Sequence, residues 1–137
     1  MSRRLAAARL RLASVDAAPD RAVRWFASAG YAVLPLGVAW SAVCVRGRRG
    51  IEAWVRVSGP AFHDSGAQAV YFLVPPETVW CPYRDGELLT AGQWLSVPDP
   101  SRTEPPGSYW LLPPGGELVD PGALQHALAR VSPEAVG

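Results

Sequence analysis

Apolar positions recur at helical spacing in three stretches, and between them they gather into short runs that alternate or are continuous. In the first stretch, Ser2 to Val15, residues Leu5, Ala8, Leu12 and Val15 share one face and Arg4 and Arg11 lie on the other. This segment is amphipathic and basic. It can dock on the rest of the chain, dock on a partner, or fray as termini often do. A second helix is predicted over Ala17–Ala29. Asp16 can cap its start, or Pro19 can sit in its first turn, and Val23, Phe26 and Ala27 mark one face. Gly30 then stands where a left-handed C-terminal residue belongs. The third helix is predicted over Pro121–Arg130. Asp120 is its N-cap, Pro121 its first residue, Leu124, Leu128 and Val131 its apolar stripe, and Pro133 its stop.

The remaining runs read as strands. Tyr31-Ala-Val-Leu-Pro-Leu leaves the second helix, and its Pro35 points to an edge or a strand end. Trp40–Val45 and Ile51–Val57 flank Arg46-Gly-Arg-Arg-Gly50, which suggests a hairpin with three arginines at its tip. Val70–Val74, Val79–Tyr83, Gln93–Val97 and Tyr109–Leu112 follow, with a turn signal at Asp85-Gly86. Three segments look alike: Tyr71-Phe-Leu-Val-Pro-Pro, Trp94-Leu-Ser-Val-Pro and Tyr109-Trp-Leu-Leu-Pro-Pro. Strands that stop at a sheet rim account for them, because proline cannot continue a hydrogen-bonded ladder. A proline-rich ligand for a partner is the other account. The expected architecture is α+β: a small, mostly antiparallel sheet of short strands, with an N-terminal and a C-terminal helix packed on one face. Residues 1–16 form a basic segment and 17–137 a single domain. Trp25, Phe26, Val33, Val55, Phe72, Leu111 and Leu124 are expected to be buried.

Composition adds two points. About half the residues are apolar (49%) and six are tryptophan, enough for a real core. Every basic residue is Arg; the chain has no Lys and no Asn, a bias that GC-rich coding also produces. Charge is unevenly placed. Up to Pro60, ten Arg stand against Asp16, Asp20 and Glu52, a net of +7; from Ala61 onward three Arg stand against nine acids, a net of −6. Either the basic half attracts phosphate or an acidic partner, or the two halves fold together and cancel. No run is long and apolar enough to span a membrane, and Arg9 and Arg11 interrupt any signal-like stretch, so the cytoplasm is the expected location.

Chemistry is sparse. Cys44 and Cys81 form no metal-knuckle spacing with His63 and His126, and two buried free thiols are expected; no metal or other cofactor is expected. His63-Asp64-Ser65 contains triad residue types, but neighbours in sequence usually diverge in space, and a polar loop is the simpler reading. Glu52, Asp64, Asp85 and Glu87 are separated by turns. The one site-like cluster is Arg46, Arg48, Arg49 and Arg56 with Trp40 and Trp54. Basic residues interleaved with aromatics suit nucleic-acid backbone neutralisation and base stacking. A solvated hairpin with its tryptophans in the core is the alternative. From this cluster, Arg46, Arg48, Arg49, Arg56 and Trp54 are the expected nucleic-acid contacts.

Trp25-Phe-Ala-Ser-Ala-Gly-Tyr-Ala-Val-Leu-Pro-Leu36 resembles the opening of the bifunctional primase-polymerase N-terminal domain of actinobacterial replication proteins and mobile elements. Trp94-Leu-Ser-Val-Pro-Asp-Pro-Ser-Arg-Thr-Glu-Pro-Pro-Gly-Ser-Tyr-Trp110 and Val70-Tyr-Phe-Leu resemble later strands of that family, so the resemblance covers about half the chain. It implies nucleic-acid or nucleotide chemistry at a metal-binding Asp-x-Asp pair. That pair is missing: Ile51-Glu-Ala-Trp-Val-Arg-Val57 offers only Glu52, and the family's His falls near Ala69. The expectation is therefore a non-catalytic relative that binds DNA or RNA, or an accessory module that binds a protein.

Overall fold

The computed structural model describes residues 3–81 and 86–131. Its elements in chain order are α1 (Arg3–Ala13), α2 (Pro19–Ala29), β1 (Tyr31–Pro35), β2 (Ser41–Arg46), α3 (Arg49–Trp54), β3 (Ala61–Asp64), β4 (Ala69–Val74), β5 (Glu87–Leu89), β6 (Trp94–Pro98), β7 (Tyr109–Leu112) and α4 (Pro121–Arg130). The fold is α+β, as expected. Five strands form one antiparallel sheet in the order β5-β2-β4-β3-β7, and β1 pairs with β6 in a separate antiparallel ribbon.

The period-two alternation of the central strands divides the molecule into three layers. Ala42, Cys44, Phe62, Tyr71, Leu73 and Trp110 face one way, onto Leu12, Ala22 and Phe26 of α1 and α2 and Ala32, Leu34, Leu95 and Val97 of the ribbon. Val43, Val45, Ala61, Val70, Phe72 and Val74 face the other way, onto Ala53 of α3 and Leu124, Ala127 and Leu128 of α4. The sheet is thus covered on both faces. This is why β4 reads as an unbroken apolar run with all six residues buried. Helices lie on both faces, where the sequence had suggested one. Stacking of Phe62 on Tyr71 and edge contact of Phe62 with Trp110, both at 5.1 Å, fill the first core. The Trp110 Nε1–H donates to the Pro98 carbonyl at 2.8 Å and fastens the ribbon to the sheet.

Helix boundaries follow their caps. The Asp120 side chain accepts from the Ala123 N–H at the start of α4, and Gly30 (φ 81°) closes α2 by donating its N–H to the Phe26 carbonyl. The N-terminal segment docks on the domain. Leu12 and Ala13 are buried in the first core, and Arg9 forms a fork-to-fork ion pair with Asp99 at 2.7 and 2.9 Å.

The largest departure from expectation is at residues 46–57. Arg46-Gly-Arg-Arg-Gly50 is not a hairpin tip: β2 pairs with β4 and β5, and the chain turns at Gly47 (φ 72°) directly into α3. A Cβ on Gly50 would lie 2.8 Å from the Val70 side chain and 2.9 Å from the Val45 carbonyl, so the glycine lets α3 sit flat on the sheet. Ile51, Trp54 and Val57, three residues apart, pack on the second core, while Val55 points to solvent and is 66% exposed. Of the other residues expected in the core, Phe26, Phe72 and Leu124 are buried, and Trp25, Val33 and Leu111 are half-buried. Val79 to Cys81 form no strand, Val79 being exposed; the rest of that predicted strand and Asp85 lie outside the described residues. Cys44 is a buried free thiol, whereas Cys81 is only half-buried. No helix among the described residues is long and apolar enough to cross a membrane.

Candidate functional site

The expected arginine–tryptophan cluster does not form one surface. Arg46 ends β2 and is exposed; by alternation it stands on the face of the sheet that carries α1, α2 and the ribbon. Arg48 precedes α3, is exposed, and pairs with Glu52 at 3.7 Å, a solvated contact of little energetic weight. Arg49 is half-buried, and its Nη2 donates to the Leu128 carbonyl at the last turn of α4, so it holds two helices together. Arg56 follows α3 at its far end and borders a shallow hollow with His126 and Arg130. Trp54 packs on the second core and Trp40 is buried in the first. Trp40 is therefore structural and Trp54 half-buried, while Arg46, Arg48 and Arg56 are exposed and Arg49 half-buried.

Nor do the carboxylates converge. Glu52 is on α3, Glu87 on β5 and Asp64 on β3. Two strands separate β5 from β3, a span of about 14 Å at the usual strand spacing. No three His, Cys, Asp or Glu side chains come together among the described residues. His63 and Asp64 lie on strand β3, not in a loop, and point to opposite faces; the His63 ring lies against Tyr109 at 5.4 Å. Deep in the first core the Tyr71 phenol is pushed up to about 12 by burial and by its contact with Cys44, whose thiol burial also raises. Both stay protonated at neutral pH.

A different surface has site-like geometry. In the ribbon, Ala32, Leu34, Leu95 and Val97 point into the core, leaving Tyr31, Val33, Pro35, Trp94 and Ser96 on the outward face, while Pro98 at its end is buried. Trp94 is 61% exposed and Tyr31 43% exposed, unusual for side chains of this size. They stand about 13 Å apart along the ribbon, four residues at the strand rise, with Val33 and Ser96 between them. Trp25 of α2 flanks Tyr31, ring centroids 6.0 Å apart.

At the Tyr31–Pro98 end this face runs into a cleft of about 300 Å³ lined by Gly30, Tyr31, Asp64, Ser96, Arg102 and Ser108, among others. The cleft is built from anchored parts. Backbone hydrogen bonds join Asp99 N–H to the Gly30 carbonyl, Arg102 N–H to Asp99, and Trp110 N–H to Arg102 at 2.7–2.9 Å. Asp99 itself is buried. Burial alone would raise its carboxyl, but hydrogen bonds from Arg9 and Ser101 overcome that and hold its pKa below the ordinary value. The Arg102 Nε and Nη2 donate to the Ser108 and Pro106 carbonyls, leaving Nη1 toward Gly30. Asp64 Oδ1 accepts from the Gly66 N–H and the Ser108 hydroxyl, leaving Oδ2 without a partner among the described residues.

Two larger hollows, of about 630 and 680 Å³, lie elsewhere and are mainly apolar: one between α1 and residues 112–115, the other between residues 56–60 and 112–123. The sequence contained a signal for the ribbon surface in the polar Ser96 placed two residues after Trp94. It contained none for the cleft, whose walls come from four separate segments. Comparison of the chain with known protein families, with curated proteins and with solved structures finds no match.

Proposed function

We propose that this domain binds single-stranded nucleic acid without transforming it, through the outward face of the β1–β6 ribbon and the cleft at its end. The observation that carries the proposal is the pair of solvent-facing aromatics, Trp94 and Tyr31, on one ribbon face, with the exposed Arg102 at the Tyr31 end. Flat aromatic faces on a short sheet stack unpaired bases regardless of sequence, and neighbouring guanidinium groups neutralise backbone or stack in turn. The charge distribution supports the same ligand. Eight of the ten arginines before Pro60 (Arg3, Arg4, Arg11, Arg21, Arg24, Arg46, Arg48 and Arg56) are exposed, so most of the basic excess lies at the surface. The primase-polymerase-like resemblance points to the same class of ligand, in a form stripped of its metal-binding carboxylates.

The test is a fluorescence titration with oligothymidine over a salt series. Trp94 should be quenched on binding, and log affinity should fall with log salt by about 0.7 per phosphate contacted. Wild-type protein that fails to bind at low ionic strength overturns the proposal. In that case the accessory role takes its place, and the apolar groove beside Leu5 and Leu112 is the surface that favours it.

A further inference from the structure

Asp64 and Arg102 line the same small cleft, carry opposite charge, and form no ion pair with each other within 4.0 Å. Each is fixed by other contacts and keeps one polar atom spare: a carboxylate oxygen that can only accept, and a guanidinium nitrogen that can only donate. Tyr31 supplies a flat wall beside them. A ligand that satisfies all three has a planar ring whose edge carries donors for a carboxylate next to an acceptor for an arginine. The volume, about 300 Å³, is at the low end for small-molecule sites and suits one base with its sugar.

We infer that the cleft is a guanine pocket, in which a single unpaired guanine stacks on Tyr31, donates N1–H and N2–H to the spare Asp64 oxygen Oδ2, and accepts at O6 from the spare Arg102 nitrogen Nη1. Among the bases, guanine alone presents two adjacent donors to one carboxylate. Its O6 carbonyl lies next to N1–H, so one arginine nitrogen beside the carboxylate completes the edge. Adenine and cytosine offer a single donor group on that edge, and thymine a lone N–H between two carbonyls. Ser96 and Ser108 can meet the sugar hydroxyls or the flanking phosphate. This inference rests on the ribbon being a single-strand platform, and it adds base selectivity at one end of an otherwise sequence-tolerant surface.

The experiment compares short oligothymidines carrying one central guanine, hypoxanthine or adenine. The guanine oligonucleotide should bind roughly tenfold or more tighter than the adenine one, with hypoxanthine, which lacks the N2 amine, between them. Asp64→Asn keeps an oxygen to accept from Gly66 and Ser108 but removes the charge, and should bring the guanine-to-adenine affinity ratio to about one. Equal affinity for all three in the wild type, or a preference that Asp64→Asn retains, overturns the pocket while leaving the platform standing. If no oligonucleotide binds, the platform fails, and titration with guanosine and adenosine monophosphates decides the pocket alone. Nuclear magnetic resonance shifts at Tyr31 and Ser108 with the guanine nucleotide only would uphold it, and equal or absent shifts would sink it.

Discussion

Tyr71-Phe-Leu-Val-Pro and Trp94-Leu-Ser-Val-Pro are closely similar strings, yet β4 is buried along its whole length and Trp94 in β6 is 61% exposed. Both strands turn successive side chains to opposite faces. What differs is the number of covered faces, and one position marks it: Leu73, on the same side as Tyr71, is replaced by Ser96 on the same side as Trp94. A strand with two apolar faces belongs in the middle of a layered domain. A strand with one polar-tolerant face is left holding an aromatic in water, where it is available to a ligand.

The comparison breaks if truncation costs the same in both places. Phe72→Ala should lower stability by about 3–5 kcal/mol in urea unfolding, because a fully enclosed ring leaves a cavity. Trp94→Ala should change stability by less than about 0.5 kcal/mol while weakening single-strand binding by about 1–3 kcal/mol, the range for one stacked base.

The ion pair behind the cleft can be tested in the same way. Arg9→Ala strands a buried carboxylate and should cost about 3–5 kcal/mol, the range for breaking a buried pair. Its pH dependence has a defined sign. The folded-state pKa of Asp99 is depressed, so its stabilisation is complete above the unfolded carboxylate value, about 3.9, and is lost as pH falls through the lower folded value. Acid unfolding of Arg9→Ala should begin at higher pH than that of wild type. On the other side of the sheet, Gly50→Ala should destabilise by roughly 1–3 kcal/mol by forcing a methyl group against Val70. The smallest effect separates the arginines. Arg49→Ala should cost about 1 kcal/mol of stability for its bond to α4 and leave the salt slope of binding unchanged, whereas Arg46→Ala should spare stability and flatten the slope by about 0.7 if it meets phosphate.

Caps and pattern made the terminal helices and most strands legible, since Asp120-Pro121, Gly30 and the short apolar run of residues 70–74 act locally. Residues 46–57 were misread because Ile51, Val55 and Val57 favour strand intrinsically. The helix there is imposed by tertiary contact, with Gly50 allowing close approach and Ile51, Trp54 and Val57 meeting the core at helical spacing. The hairpin tip expected to carry Arg46, Arg48 and Arg49 is absent for the same reason. β3 was missed because four residues containing His and Asp carry little strand signal until β4 and β7 pair with them. The cleft was out of reach for a related reason: Tyr31, Asp64 and Arg102 are neighbours only through the fold.

The clasp between Arg9 and Asp99 spans ninety residues of sequence, and β1 likewise waits for β6, its one strand partner among the described residues. On a ribosome that emits the chain from its N-terminus, α1, α2 and β1 therefore emerge well before most of what they pack on exists. The part of their apolar face that Leu95, Val97 and Trp110 cover stays exposed until those residues clear the exit tunnel, so a nascent chain arrested before Trp94 would be a target for holding chaperones, and one arrested well past Trp110 would not.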